Sequence, residues 1–289
     1  MLPTVHLGAL SMSRRTLLAC ALAALALPLS SASSPAAGTK LTDDQLAEVM
    51  DFTMHDATFT LFHESGHLLI HELDLPVLGK EEDAADIAGV LEMFRSITDK
   101  DEAYNALNDV ADYWTYSSNA MTDEDFSYNV NTYDDHSLDV QRANNMVCLM
   151  VGKDQDEFAD TAQAFEFDDD MIGQCLTDYE QADHSWTKVL APYVAKAPGP
   201  EIKVTYEATS KYKTFADELQ SRRILENIGE TLSTNFALPR PITMTARQCD
   251  EPNAYYDEET HSITFCYELA DDVYQLGLKN LFTKASDSN

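Results

Sequence analysis

His63-Glu64-Ser65-Gly66-His67 is an HExxH sequence. On a helix, residues four apart share a face, so both imidazoles can reach one zinc ion. Glu64 then lies beside the metal, where it can take a proton from a water held there. Two histidines and one further protein ligand leave a fourth position for water or substrate, as a catalytic site requires. The bland alternative is two histidines on a solvated polar face. It fits the surroundings poorly, because Phe59-Thr60-Leu61-Phe62 precedes the motif and Leu68-Leu69-Ile70 follows it. Buried imidazoles need partners, and a metal is one.

A third histidine six residues after the second would extend the motif, but that position is Leu73. His71 lies one turn beyond His67 on the same helix, where it would struggle to complete a tetrahedron. After Pro76 and Gly79 turn the chain back, Glu81-Glu82-Asp83-Ala84-Ala85-Asp86-Ile87-Ala88 offers carboxylates among small residues that permit close helix packing. Glu82 is the preferred ligand, with its acidic neighbours still open. Asp86, one turn later, is placed to hold a ligating histidine through its second ring nitrogen. Complementing the helix dipole accounts for Glu81 and Asp83. Oxyanion stabilisation needs a further His, Tyr or Arg near the metal. His136 leads, followed by Tyr133 and Tyr255, with an ordinary loop or core role competing for each. Asp168-Asp169-Asp170 lacks EF-hand spacing and reads as a solvated acidic face.

Apolar residues recur at helical spacing from Asp43 (Leu46, Val49, Met50, Phe52) through Phe59, Phe62, Leu69 and Ile70, predicting helix over about 42–74, in one piece or with a break. Helices are also expected at Glu81 to Ile97, Asp139 to Gly152 and Phe158 to Tyr193, the last broken near Asp168 to Asp170. Residues 99–130 read as short helices and loops. Ala197-Pro198-Gly199-Pro200 is the clearest linker. After it, Ile202 to Tyr206 alternates like a strand and Phe215 to Phe236 is an amphipathic helix. Ile242 to Ala246 and Ser262 to Tyr267 are β-rich around the turn Asp257 to His261, predicting a hairpin or close strand pair. A short helix closes the chain over Leu269 to Leu281.

The 289 residues carry 19 Lys and Arg against 50 Asp and Glu, a formal charge of −31, with 44% hydrophobic residues. That composition can bury a core, and the missing basic patch excludes sequence-independent nucleic-acid binding. It also disfavours an anionic membrane surface. Residues 1–32 contain no acid; Arg14 and Arg15 precede the apolar run Thr16 to Leu29, and Ser30-Ser31-Ala32 supplies a small-residue cleavage site. This is the order of a secretory signal peptide, and Ser13-Arg14-Arg15-Thr16-Leu17-Leu18 is also similar to a twin-arginine signal. The expected location is therefore exported, periplasmic or secreted. Removing the signal takes the formal charge from −31 to −33. Cys20 leaves with it, and Cys148, Cys175, Cys249 and Cys266 remain. An even count in an oxidising compartment argues for two disulfides, with Cys148–Cys175 and Cys249–Cys266 favoured because each closes a short loop.

Phe62 to Ile70, followed by Leu75-Pro76-Val77-Leu78-Gly79-Lys80-Glu81-Glu82-Asp83-Ala84-Ala85-Asp86, resembles the family of bacterial exported proteins called "putative metallopeptidase". The resemblance continues through Gln141-Arg142 and Cys148, Cys175 with Trp186, and Asn253-Ala254 with Cys266-Tyr267-Glu268-Leu269. It implies a zinc peptidase and no particular substrate. The Glu82-x-x-x-Asp86 spacing is similar to the third-ligand segment of glutamate-type zincins, which favours Glu82. In ordinary zincins the sheet whose edge binds peptide precedes the HExxH helix. Here the strands follow it, so a late hairpin is expected to pack beside the metal helix and supply that edge.

The resulting expectation is an α+β, helix-dominated, zincin-like metallopeptidase with a small late sheet. Its parts are a signal peptide (1–32), a tether (33–40), a helical metal-binding part (41–197) and a mixed part packed on it (198–289), forming one catalytic domain. His63, His67 and Glu82 hold Zn2+, and Glu64 is the general base for hydrolysis of a peptide or protein substrate. Acidic peptides are expected to be poor substrates. The competing reading from another class is a secreted, zinc-stabilised binding module without catalysis; a third is a purely structural exported protein.

Overall fold

The structure is a computed structural model that describes residues 40–120, 135–199 and 201–282. The expected signal peptide, the tether to Thr39 and Tyr133 lie outside the described residues. Helix α1 (Asp43–Glu72) starts at a capping box, in which the Thr42 hydroxyl accepts from the Gln45 N–H and the Gln45 side chain accepts from the Thr42 N–H. It ends where Asp74 adopts φ 51° just ahead of Pro76. Between these ends α1 buries residues around its whole circumference, from Val49 and Phe52 to Leu69 and Ile70. A helix enclosed on every side is the centre of its domain. The HExxH motif lies in that enclosed stretch, which explains its apolar flanks.

Helix α2 (Glu81–Ser96) folds back along α1. The contact is close because small residues meet: a Cβ placed on Gly66 would stand 3.0 Å from Ala85 Cα and 3.2 Å from Ala88 Cβ. Helices α3 (Lys100–Ala120) and α4 (Asp139–Lys153) pack on α1 and α2, followed by the short α5 (Ala159–Ala164) and by α6 (Asp169–Leu190). Residues 100–120 form one continuous helix instead of the expected short helices and loops, because buried Leu107, Val110 and Ala111 dock it on the core. The break near Asp168 is present, and the Asp168 carboxylate caps α6 by accepting from the Met171 N–H at 2.8 Å.

A four-stranded sheet follows, built from β1 (Lys203–Tyr206), β2 (Thr243–Arg247), β3 (Ala254–Asp257) and β4 (Ser262–Cys266) in the order β1-β2-β4-β3. β1 to β2 and β2 to β4 are parallel, whereas β3 and β4 form an antiparallel hairpin. The expected pairing of 242–246 with 262–267 thus exists as a parallel ladder. The hairpin arm missed in the sequence is the short run Ala254-Tyr255-Tyr256-Asp257. The helix expected over Phe215 to Phe236 divides into α7 (Lys213–Ser221) and α8 (Ile224–Asn235) at Arg223, whose φ is 56°. Helix α9 (Tyr267–Asn280) returns across α1. The fold is α+β and helix-dominated. Disulfides join Cys148 to Cys175, linking α4 to α6, and Cys249 to Cys266, tying the loop after β2 to the end of β4. Among the described residues no helix is long and apolar enough to cross a membrane.

Candidate metal centre

The close α1–α2 crossing places His63, His67 and Glu82 together. His63 Nε2 lies 3.1 Å and His67 Nε2 3.2 Å from Glu82 Oε2, with the two nitrogens 3.2 Å apart. Donors at zinc bond lengths around a tetrahedral ion stand about 3.3 Å from one another. The triangle therefore has the size and donor chemistry that a divalent metal with nitrogen and oxygen ligands requires.

Each imidazole is held from behind. His63 Nδ1 lies 2.8 Å from Asp86 Oδ1, and Arg142 clamps the same carboxylate, Nε to Oδ2 at 2.8 Å and Nη2 to Oδ1 at 2.6 Å. The Arg142 guanidinium stacks on Trp114, 3.5 Å from the ring centroid. His67 Nδ1 lies 2.8 Å from Glu81 Oε1, which also meets His71 Nε2 at 2.9 Å. A carboxylate on Nδ1 fixes the ring and leaves Nε2 for a metal. Asp86 lies on the second ring nitrogen of His63. Glu81, read in the sequence as a dipole charge, backs the second histidine. His71 stands outside the triangle, with its ring well exposed.

The electrostatics follow from this crowding. Burial opposes a charge on His63, but its bonds to Asp86 and Glu82 outweigh burial and raise its pKa to about 9. His67 is raised against burial in the same way by Glu82 and Glu81. Burial would lift the Glu82 carboxyl, but the imidazoles of His136, His63 and His67 hold it far below the usual carboxylate range. Without a metal the cluster therefore binds protons that a cation would displace.

Glu64 is buried beside this triangle. Its Oε2 accepts the Tyr256 N–H at 2.8 Å, from strand β3. Burial raises its pKa, with the His63 and His67 charges and the Tyr256 N–H pulling the other way. β3 is the sheet edge here, because β4 lies inside between β2 and β3. With Tyr256 N–H pointing away from β4, alternation turns the Ala254 backbone outward too. The Ala254 N–H is met by Asn253 Oδ1 at 2.9 Å, so carbonyls are what the edge presents. A cleft of about 560 Å³ runs between this edge and the triangle, with His136, Trp114 and Arg142 on its far wall.

His136 Nε2 lies 3.0 Å from Glu82 Oε2, and its ring lies nearly parallel to that of His63, with centroids 6.3 Å apart. Its pKa is raised, first by that bond to Glu82. Tyr255 also lines the cleft, and its hydroxyl accepts from Arg247 Nη2, on β2, at 2.6 Å. The residues that sequence reasoning missed are Glu81, Tyr256 and Glu72. Arg142 stood in a conspicuous motif without an assigned role.

The chain matches the family described as "Putative metallopeptidase" over residues 30–190 and 205–289, and it belongs to that family. No curated protein and no solved structure matches it.

Proposed function

We propose that this member of the metallopeptidase family is a zinc-dependent peptide hydrolase exported to an oxidising compartment. The observation that carries the reading is the convergence of His63 Nε2, His67 Nε2 and Glu82 Oε2 within 3.2 Å of one another, beside the buried Glu64 carboxylate and a substrate-sized cleft. The two disulfides favour export.

His63, His67 and Glu82 would hold the ion, oriented by Asp86 and Glu81. When bound, zinc supplies Lewis acidity toward a water and the scissile carbonyl. Glu64 accepts a proton from the attacking water and passes it to the leaving amine. With Oε2 held by the Tyr256 N–H, Oε1 is the oxygen available for that proton. His136, whose Nε2 contacts Glu82 Oε2 here, lines the cleft and would donate to the developing oxyanion once that carboxylate oxygen is given over to the ion. The Ala254 and Tyr256 carbonyls receive N–H groups of an extended substrate, which is how a strand edge binds peptide.

The test uses a broad peptide library and the purified, zinc-loaded protein. Chelator-sensitive cleavage is expected, and Glu64→Gln should abolish it while zinc remains bound. Cleavage that survives Glu64→Gln overturns the assignment. Zinc binding with no cleavage of any peptide supports a zinc-stabilised binding module instead.

A further inference from the structure

Tyr256 touches α1 at two places. Its backbone N–H donates to Glu64 Oε2 at 2.8 Å, and its phenol donates to Glu72 Oε1 at 2.7 Å. Glu64 and Glu72 are eight residues apart, so the two contacts span about 12 Å of the helix. The Glu72 side chain is only 2% exposed, and it is held from other directions by His261 Nδ1 at 2.7 Å and Arg240 Nε at 2.9 Å. Arg240 Nη1 also lies 3.1 Å from His261 Nε2, so His261 donates through Nδ1 and accepts through Nε2. Glu72 is therefore a fixed post at the end of the metal helix.

The other side of Tyr256 is much less constrained. Among the described residues β3 has one strand neighbour, and the apolar packing of the sheet on α1 is non-directional. The other directed contacts from this hairpin to α1, His261 to Glu72 and Glu258 to His71 at 3.2 Å, come from the turn beyond β3 and not from the strand itself. Hydrogen bonds set position along the helix far more sharply than apolar contact does. We infer that Tyr256 is a positioning residue for Glu64: the phenol–Glu72 bond fixes where the edge strand stands along α1. That placement keeps the Tyr256 N–H on one oxygen of Glu64 and leaves the other facing the cleft. The catalytic consequence rests on the hydrolase reading of Glu64. The positional claim does not.

Tyr256→Phe removes only the phenol oxygen. Amide hydrogen exchange of the metal-free protein reads the positional claim directly. The residue 256 amide should exchange about tenfold faster in Tyr256→Phe, the factor that one net hydrogen bond represents. The amides of residues 255 and 257, which face β4, should keep their rates. In a Glu64→Ala background the acceptor is already gone, so adding Tyr256→Phe should change the residue 256 rate little. In the zinc-loaded enzyme, kcat should fall about tenfold with KM within about twofold and zinc content unchanged.

Unchanged exchange at residue 256 overturns the inference. So does equal acceleration at 255, 256 and 257, or an undiminished effect in the Glu64→Ala background, since either shows general loosening of β3. Should Tyr256→Phe fail to fold, Glu72→Gln leaves the phenol a weaker neutral acceptor and should give the same pattern at smaller size; no change there overturns it. If the wild-type protein cleaves nothing, the hydrolase reading fails while the exchange measurements still decide the positional claim.

Discussion

The cleft has two walls built in different ways. On one side, α1 and α2 meet through Gly66, Ala85 and Ala88, and the side chains that could ligate a metal lie 19 residues apart or less. Steric closeness places them. On the other side, α1 meets the edge strand through directed bonds to buried carboxylates, Tyr256 to Glu64 and to Glu72, spanning 192 and 184 residues. The first wall is local in sequence and its chain-closure cost is small; the second requires the whole domain to be assembled. On the proposed function, holding a metal and positioning Glu64 are therefore separable properties. Damage to one wall should leave the other's function largely intact.

The sharpest way to break that comparison is to wedge the first wall open. A valine at position 66 would press on Ala85 Cα and Ala88 Cβ, which lie only 3.0 and 3.2 Å from where its Cβ would stand. Gly66→Val should abolish stoichiometric zinc binding and cost about 1–3 kcal/mol of stability, as overpacking usually does. Metal analysis and a thermal melt check both. Retained zinc would show that close helix approach does not place the ligands. The converse experiment loosens the second wall. Replacing Cys249 and Cys266 by Ala opens a loop with a sequence separation of 17, at a cost of about 3 kcal/mol. Zinc affinity should persist while peptide cleavage falls. Loss of both would show that the walls are coupled.

The same contrast explains what was legible in the sequence. His63, Glu64 and His67 sit at a fixed helical spacing, and Glu82 and Asp86 repeat it on the next helix, so one period and one turn sufficed to bring them together. Glu81 was harder, because an acid in a first helical turn already has an ordinary explanation in the dipole. Its pairing with His67 depends on the depth of the α1–α2 crossing, which spacing does not give. Tyr256 and Glu72 carry no local signal at all. Residues 254–257 are too short a strand to stand out beside the longer β-rich runs, and their place at the sheet edge depends on β2 pairing parallel to β4. The helix over 100–120 was missed for a related reason: its polar and aromatic composition hides a narrow apolar stripe that only tertiary packing reveals.

Within the first wall, the two backing carboxylates offer a finer comparison. Asp86 is bound by His63 and clamped by Arg142, whereas Glu81 is about a third exposed and shared with His71. Asp86→Asn should weaken zinc binding about 10- to 100-fold, as loss of a ligand's carboxylate partner does elsewhere. Glu81→Gln should weaken it less, because solvent can replace part of what the carboxylate supplies. Competition against a chromogenic chelator ranks the two. Equal effects would mean that burial of the backing carboxylate is immaterial.

The smallest effect is also the one that links protons to metal. In the metal-free protein the His63 pKa is raised from 6.5 to about 9 by Asp86 and Glu82, against the cost of burial. A raised folded-state value stabilises fully below the unfolded value and is lost as pH rises through the folded one. Stability of the metal-free protein should therefore decline between about pH 6.5 and 9, seen as a lower Tm at the alkaline end. Asp86 titrates in the opposite sense: burial resists its charge, but His63 and Arg142 hold its pKa low, so its contribution disappears only as pH falls through the acid range. Zinc should reverse the alkaline trend, because a metal ligand must be deprotonated and binding then tightens as pH rises. Melting curves at pH 6 and pH 9, each with chelator and with zinc, should show the gap between the two forms widening toward pH 9. A gap that stays constant would mean that the protons leaving the His63 cluster are not the ones the metal displaces.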